Sequence, residues 1–131
     1  MMFAPALIVL ATALPPLPPA NEAARSVDAR VAVQGAELAV TLSLPRAAAD
    51  PRVPALILLP GSGPSTRSES DALAQPFLHA GFAVLTFDKR GCGASTGSWL
   101  TSSLQDMAAD GRVLLEWLKA RADMDAGRIG L

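Results

Sequence analysis

The residues able to do chemistry in this 131-residue sequence gather in two short stretches. The first is Pro60-Gly61-Ser62-Gly63-Pro64-Ser65. The second, Phe87 to Gly97, reads FDKRGCGASTG. Glycines at 91, 93 and 97 give the spacing G-x-G-x-x-x-G, one residue off the G-x-G-x-x-G loop that cradles a dinucleotide pyrophosphate. Such a cradle needs a glycine at position 96, a helix opening directly on the loop, and an acidic residue about 20 residues further on. Here position 96 is threonine, Ser98-Trp99-Leu100 intervenes, and the next strand begins only at the end of the sequence. Neither stretch carries the G-x-x-x-x-G-K-[ST] of a P-loop.

The hydroxyls of Ser62, Ser65 and Ser95 suggest nucleophilic catalysis instead. A serine nucleophile needs a general base within hydrogen-bond reach. The only histidine, His79, falls near the end of a short helix between the two stretches and reads as a helix-end or surface residue. None of the three serines is therefore assigned as a nucleophile, and no catalytic residue is assigned at all. Cys92, the only cysteine, can form no internal disulfide and reads as a small core or turn residue. No Cys/His cluster offers a zinc site, so neither a metal nor a cofactor is expected.

Composition narrows the partners. The net charge is −1, with lysines and arginines scattered rather than gathered in a stripe, which argues against nucleic acid. Tyrosine is absent and aromatic residues make up 5%, too few for a base-stacking platform. Half of the residues are apolar, enough for a buried core.

The elements that must position the two stretches follow from periodicity. Residues 1–24 have no charged side chain before Glu22. Phe3 to Leu14 has the length of a signal-peptide core and falls short of the roughly 20 apolar residues that span a bilayer. The PPLPP that follows is barred from helix and central strand. This leader reads as an export signal, placing the protein in the periplasm or outside the cell; without that role it would be cytoplasmic. No stable membrane span is expected.

Residues 25–131 read as one domain. Val27 to Val33 and Leu38 to Leu44 alternate apolar with other residues about a Gln34-Gly35 turn, the pattern of a β-hairpin. Two apolar runs, residues 55–59 and 82–87, suit strands buried in a parallel sheet. Between them a short helix is expected over 70–80, broken or restarted at Pro76 and stopped at Gly81. A second helix opens with a capping box at Ser102 and Gln105. It presents Leu104, Met107, Ala108, Gly111, Leu115 and Leu118 as its apolar stripe. Residues 128–131 begin a third buried strand. Strands alternating with helices imply parallel pairing with right-handed crossovers. The fold class is α/β, a hairpin followed by a βαβαβ unit, with a sheet that is incomplete at Leu131. The sequence thus reads as a fragment or a truncated gene product.

The order LLPGSGP, then AGFAVLTFDKRGCGASTG, then a D-x-x-x-D helix, then GRIGL resembles the first half of the α/β-hydrolase fold. The likeness, over about residues 27–131, is to esterases and serine-aminopeptidase-like hydrolases whose first loop reads G-S-G-P. Its most specific element is D-x-R-G-x-G-x-S, seen as Asp88, Arg90, Gly91, Gly93 and Ser95. The resemblance implies that this second loop is mainly architectural, with Arg90 pairing Asp106 or Asp110. It implies that the first loop supplies a backbone N–H of the oxyanion hole at Ser62, with Gly61 allowing close approach. Pro60 stands where many relatives have histidine. It also implies a G-x-S-x-G nucleophile elbow after the third buried strand, followed by an acid and a histidine. None of these lies within the sequence. The expectation is a serine hydrolase acting on a small-molecule ester or amide in the full-length parent, inactive as this chain and unstable in isolation. Two other readings fit the order of elements: a non-catalytic remnant or binding module completed by a partner chain, and a nucleotide-binding module.

Overall fold

The computed structural model describes residues 23–46 and 50–131, so the apolar and proline-rich run behind the export reading lies outside the described residues. Strands β1 (Ala23–Val33) and β2 (Ala36–Pro45) form the hairpin about Gln34-Gly35. There follow β3 (Val53–Ile57), a 3₁₀ turn (Arg67–Ser70) running into α1 (Asp71–His79), β4 (Ala83–Phe87), α2 (Leu104–Lys119) and β5 (Met124–Gly130). The sheet order is β1-β2-β4-β3-β5. β2 pairs antiparallel with β1 and β4, while β3 pairs parallel with β4 and β5. This is the α/β arrangement of a hairpin leading into a βαβαβ unit.

Strand alternation decides which residues meet. Leu38, Val40, Leu42 and Leu44 of β2 share a face with Ile57, Leu85 and Phe87, and Leu114 and Leu118 of α2 cover them. Val84 points the other way and receives Ala74 and Leu78 of α1. The two helices therefore sit on opposite faces of the sheet.

Several expected boundaries shift for identifiable reasons. β3 ends at Ile57, not at residue 59; Leu58 N makes a last bond to Leu85 O, and Leu59 is 55% exposed. β5 starts earlier than residue 128; among the described residues it pairs with β3 alone, and Met124 is its one buried residue. α1 passes through Pro76 without a break. The carbonyl that its missing N–H would have served is that of Ala72, which is exposed, so water can take its place. The α2 capping box is Ser103 with Asp106, one residue later than expected. Ser102 Oγ instead donates to Ser98 O at 2.6 Å. The buried face of α2 is Asp110, Gly111, Leu114 and Leu118, whereas Leu104 is 81% exposed. Asp110 faces inward to meet Arg90, which is itself buried.

Candidate functional site

β3 and β4 are parallel neighbours, so the loops leaving their carboxyl ends share one rim of the sheet, where open α/β sheets bind ligands. The second loop is held by its own hydrogen bonds. Asp88 Oδ1 accepts from Arg67 N and Asp88 Oδ2 from Ala94 N, both at 2.8 Å. Ser95 Oγ donates to Asp88 O at 2.6 Å and accepts from Ala39 N at 2.8 Å. Gly91 N, Cys92 N and Ser95 N bond to carbonyls of the same loop, and Thr96 N to Glu37 O. With these N–H groups occupied, the loop presents no fan of donors to a phosphate. Two of its glycines are steric necessities. Gly91 has φ +69°, and a Cβ there would lie 2.7 Å from Gly97 O; Gly93 has φ +51°, and a Cβ would overlap the Asp88 carboxylate.

Arg90 turns inward. Its Nε and Nη2 donate to Asp110 at 2.5 and 2.6 Å, and Nη2 also donates to Gln34 O at 2.6 Å. The guanidinium thus joins the hairpin turn, the loop after β4 and α2. Of the two partners the sequence offered, Asp110 takes the role and Asp106 caps α2. The hydrogen bond that Arg90 donates to Asp110 raises the Arg90 pKa, against burial, which lowers it. Asp106 is held below its ordinary 3.8 by the bond from the Ser103 backbone and then by that from the Ser103 side chain.

Lys89 takes partners that neither Asp88 nor Arg90 uses. It is buried, and its Nζ donates to Gly61 O at 3.0 Å and to Gly63 O at 2.9 Å. Lys89 N also bonds to Ser65 O, so side chain and backbone both fasten the first loop to the second. The Trp99 ring centroid lies 5.8 Å from Nζ. Sequence reasoning passed over this lysine; its position directly after a buried strand, between two residues of the motif, was the available signal.

In the first loop, Ser62 is exposed and its N–H has no hydrogen-bond partner among the described residues. A Cβ on Gly61 would meet no atom within 4 Å, so only something arriving from outside would call for glycine there. Leu59, Pro60, Gly61 and Ser62 border a hollow of about 350 Å³ with Phe87 beneath and Leu104 and Met107 of α2 opposite. Ser65 is buried and donates to Glu69. His79 closes α1, at the opposite end of the sheet from the rim. The rim therefore unites Gly61, Ser62, Asp88, Arg90, Gly91, Gly93 and Ser95 but not His79. Among the described residues no group of three or more His, Cys, Asp or Glu could hold a metal ion, and no helix is long and apolar enough to cross a membrane.

The family described as X-Pro dipeptidyl-peptidase (S15 family) matches residues 34–131. Two uncharacterized proteins from strains of Mycobacterium tuberculosis are each 38% identical over 78 residues, which is 53% of this chain and 27% of theirs. Among solved structures, a hypothetical protein of Pseudomonas aeruginosa shares 25% identity at TM-score 0.72, over 86% of this chain and 36% of its own. The α/β hydrolase GrgF of Penicillium sp. sh18 shares 26% identity at TM-score 0.67, over 82% of this chain and 37% of its own. An α/β serine hydrolase without a lid from Xanthomonas campestris shares the fold, at TM-score 0.62 and 24% identity, over 78% of this chain and 48% of its own. The chain thus spans well under half the length of these proteins in most cases.

Proposed function

The chain belongs to the X-Pro dipeptidyl-peptidase (S15) family, and from that premise we propose that it forms the N-terminal half of a serine hydrolase. The hydrolase cleaves an ester or amide of a small molecule through an acyl-enzyme. The Ser62 backbone N–H is one donor of its oxyanion hole, and Gly61 keeps the approach open. The nucleophile, the acid and the histidine belong to sequence outside these 131 residues, so this chain alone does not turn substrate over. The leader acts as an export signal, a role that N-terminal sequencing of the mature protein would test.

The observation that carries this reading is the Gly61–Ser62 segment. It stands at a strand end, on the rim where two loops are fastened together, with an N–H that has no partner among the described residues and an open approach beside an apolar hollow. An oxyanion donor must be fixed before the reaction and aimed at the oxygen that gains charge. The loop after β4 contributes rigidity: Asp88 ties it to the backbone N–H of Arg67, in the turn that follows the first loop.

The test uses the full-length protein with p-nitrophenyl esters and an X-Pro p-nitroanilide. Ser62→Pro removes the donor and should lower kcat by about 100- to 1,000-fold. Gly61→Val leaves the fold intact but stands a side chain in the approach, so activity should fall with no change in Tm. Turnover by the 131-residue chain alone, or full activity of Ser62→Pro, would refute the proposal.

A further inference from the structure

Lys89 carries a charge that the fold does not otherwise explain. It is 6% exposed, and among the described residues no carboxylate pairs with it. Buried lysines ordinarily have such a partner. Among the described residues the ammonium is met by the carbonyls of Gly61 and Gly63 and by the face of Trp99. A cation buried against two backbone carbonyls of one loop fixes the orientation of that loop's peptide planes.

We propose that Lys89 is a positioning residue for the oxyanion donor. The inference rests on reading Ser62 N–H as that donor. The peptide joining Gly61 to Ser62 is trans, since no cis peptide occurs among the described residues. In a planar trans peptide the carbonyl oxygen and the amide hydrogen point in opposite directions. Lys89 grips the oxygen of this peptide at 3.0 Å, so the Ser62 N–H is directed away from Lys89, outward from the loop. Turning the plane would break a charge-assisted bond and leave a buried ammonium short of an acceptor. The second bond, to Gly63 O, restrains the segment from the other side of Ser62. Pro64 follows and contributes no N–H of its own, so the loop cannot secure itself there by a backbone bond.

The contact also acts electronically. Hydrogen bonds in series polarise one another, so an ammonium on Gly61 O makes the Ser62 N–H a stronger donor. With no carboxylate to neutralise it, the charge of Lys89 favours the negative charge that develops beyond that N–H. The lysine touches neither substrate nor reacting atoms; its effect passes through one peptide unit.

The experiment compares wild type, Lys89→Met and Lys89→Gln in the full-length protein. Lys89→Met keeps much of the apolar stem and removes charge and donors. Its kcat should fall about 100-fold, the loss that small misplacements at an active site produce, with KM unchanged because the interaction is made in the transition state. Lys89→Gln keeps donors without the charge and should lie between the two; it is read in the same way if Lys89→Met does not fold. A second readout follows the Ser62 amide resonance of the labelled protein on binding a boronate that mimics the tetrahedral intermediate. The resonance should move strongly in wild type and weakly in either variant. If wild type neither hydrolyses the substrates nor shows the boronate shift, the oxyanion reading itself fails. If wild type does both and the folded variants match it in kcat and in the shift, Lys89 is not a positioning residue, and the reading of Ser62 survives without it.

Discussion

Removing the carboxylate of Asp110 should destabilise this protein severely, because it breaks a buried ion pair from one side. The side chains of Arg90 and Asp110 are 8% and 4% exposed, and two bonds of 2.5 and 2.6 Å join them. In Asp110→Ala the guanidinium keeps one acceptor, Gln34 O, and loses two charged bonds in a place water reaches poorly. Each such bond contributes about 1.5–3 kcal/mol, and breaking a buried pair from one side costs about 3–5 kcal/mol. We therefore expect a loss of about 4 kcal/mol for Asp110→Ala. The double variant Arg90→Met/Asp110→Leu removes both charges together and should recover most of that loss. Urea unfolding followed by circular dichroism measures both, with the shift in midpoint at unchanged m giving the energy. Moderate salt should leave the wild-type value nearly unaltered, because a buried pair is poorly screened. A cost below about 1 kcal/mol for Asp110→Ala, or a double variant no better than the single one, would show that the pair does not hold the hairpin turn and α2 to the rim.

Other changes have equally definite outcomes. Ser95→Ala leaves the buried Ala39 N–H without its acceptor and should cost about 1–3 kcal/mol in urea unfolding, while a hydrolase reaction using a serine elsewhere keeps its kcat. Gly93→Ala forces a side chain onto the Asp88 carboxylate at positive φ and should lower Tm clearly, whereas Gly61→Ala, in open space, should not. Asp123 is held below its ordinary 3.8 chiefly by hydrogen bonds from Arg121, so the folded state binds its proton less readily than the unfolded chain does. Its contribution is present above pH 3.8 and is lost as pH falls through the lowered value. Asp123→Asn should flatten the acid limb of a stability–pH curve, and an unchanged limb would count against the Arg121 contact.

The strands were legible because their signals are local. β2 and the hairpin turn read directly from alternation about Gln34-Gly35, and the parallel pair from two short apolar runs between turn residues. Boundaries that depend on neighbours were not legible. β5 was read only from Arg128 onward because its first residues, Met124-Asp125-Ala126-Gly127, carry no apolar alternation. The α2 stripe was misplaced because a charged residue, Asp110, faces inward, and only the bond to Arg90 makes that possible. At the site, the glycine loops and the Arg90 pairing followed from a resemblance, with Asp106 and Asp110 indistinguishable by spacing. The role of Lys89 was harder to read for a different reason: its place inside the motif could be seen, but its partners are backbone carbonyls, which have no side-chain identity.

The hydrogen bonds from the FDKRGCGASTG loop to β2 have a consequence for solubility. β4 stops pairing with β2 at Phe87–Val40, which would leave Glu37 and Ala39 with open backbone groups along the sheet. Asp88 N and the Ser95 hydroxyl serve Ala39, and Thr96 serves Glu37 through both its N–H and its hydroxyl. Arg30 of β1 reaches across to Ala94 O. The loop thus seals the part of β2 that β4 does not reach, a stretch that could otherwise recruit a strand from another molecule. Damage to this loop should therefore show as self-association of the protein as well as lost stability.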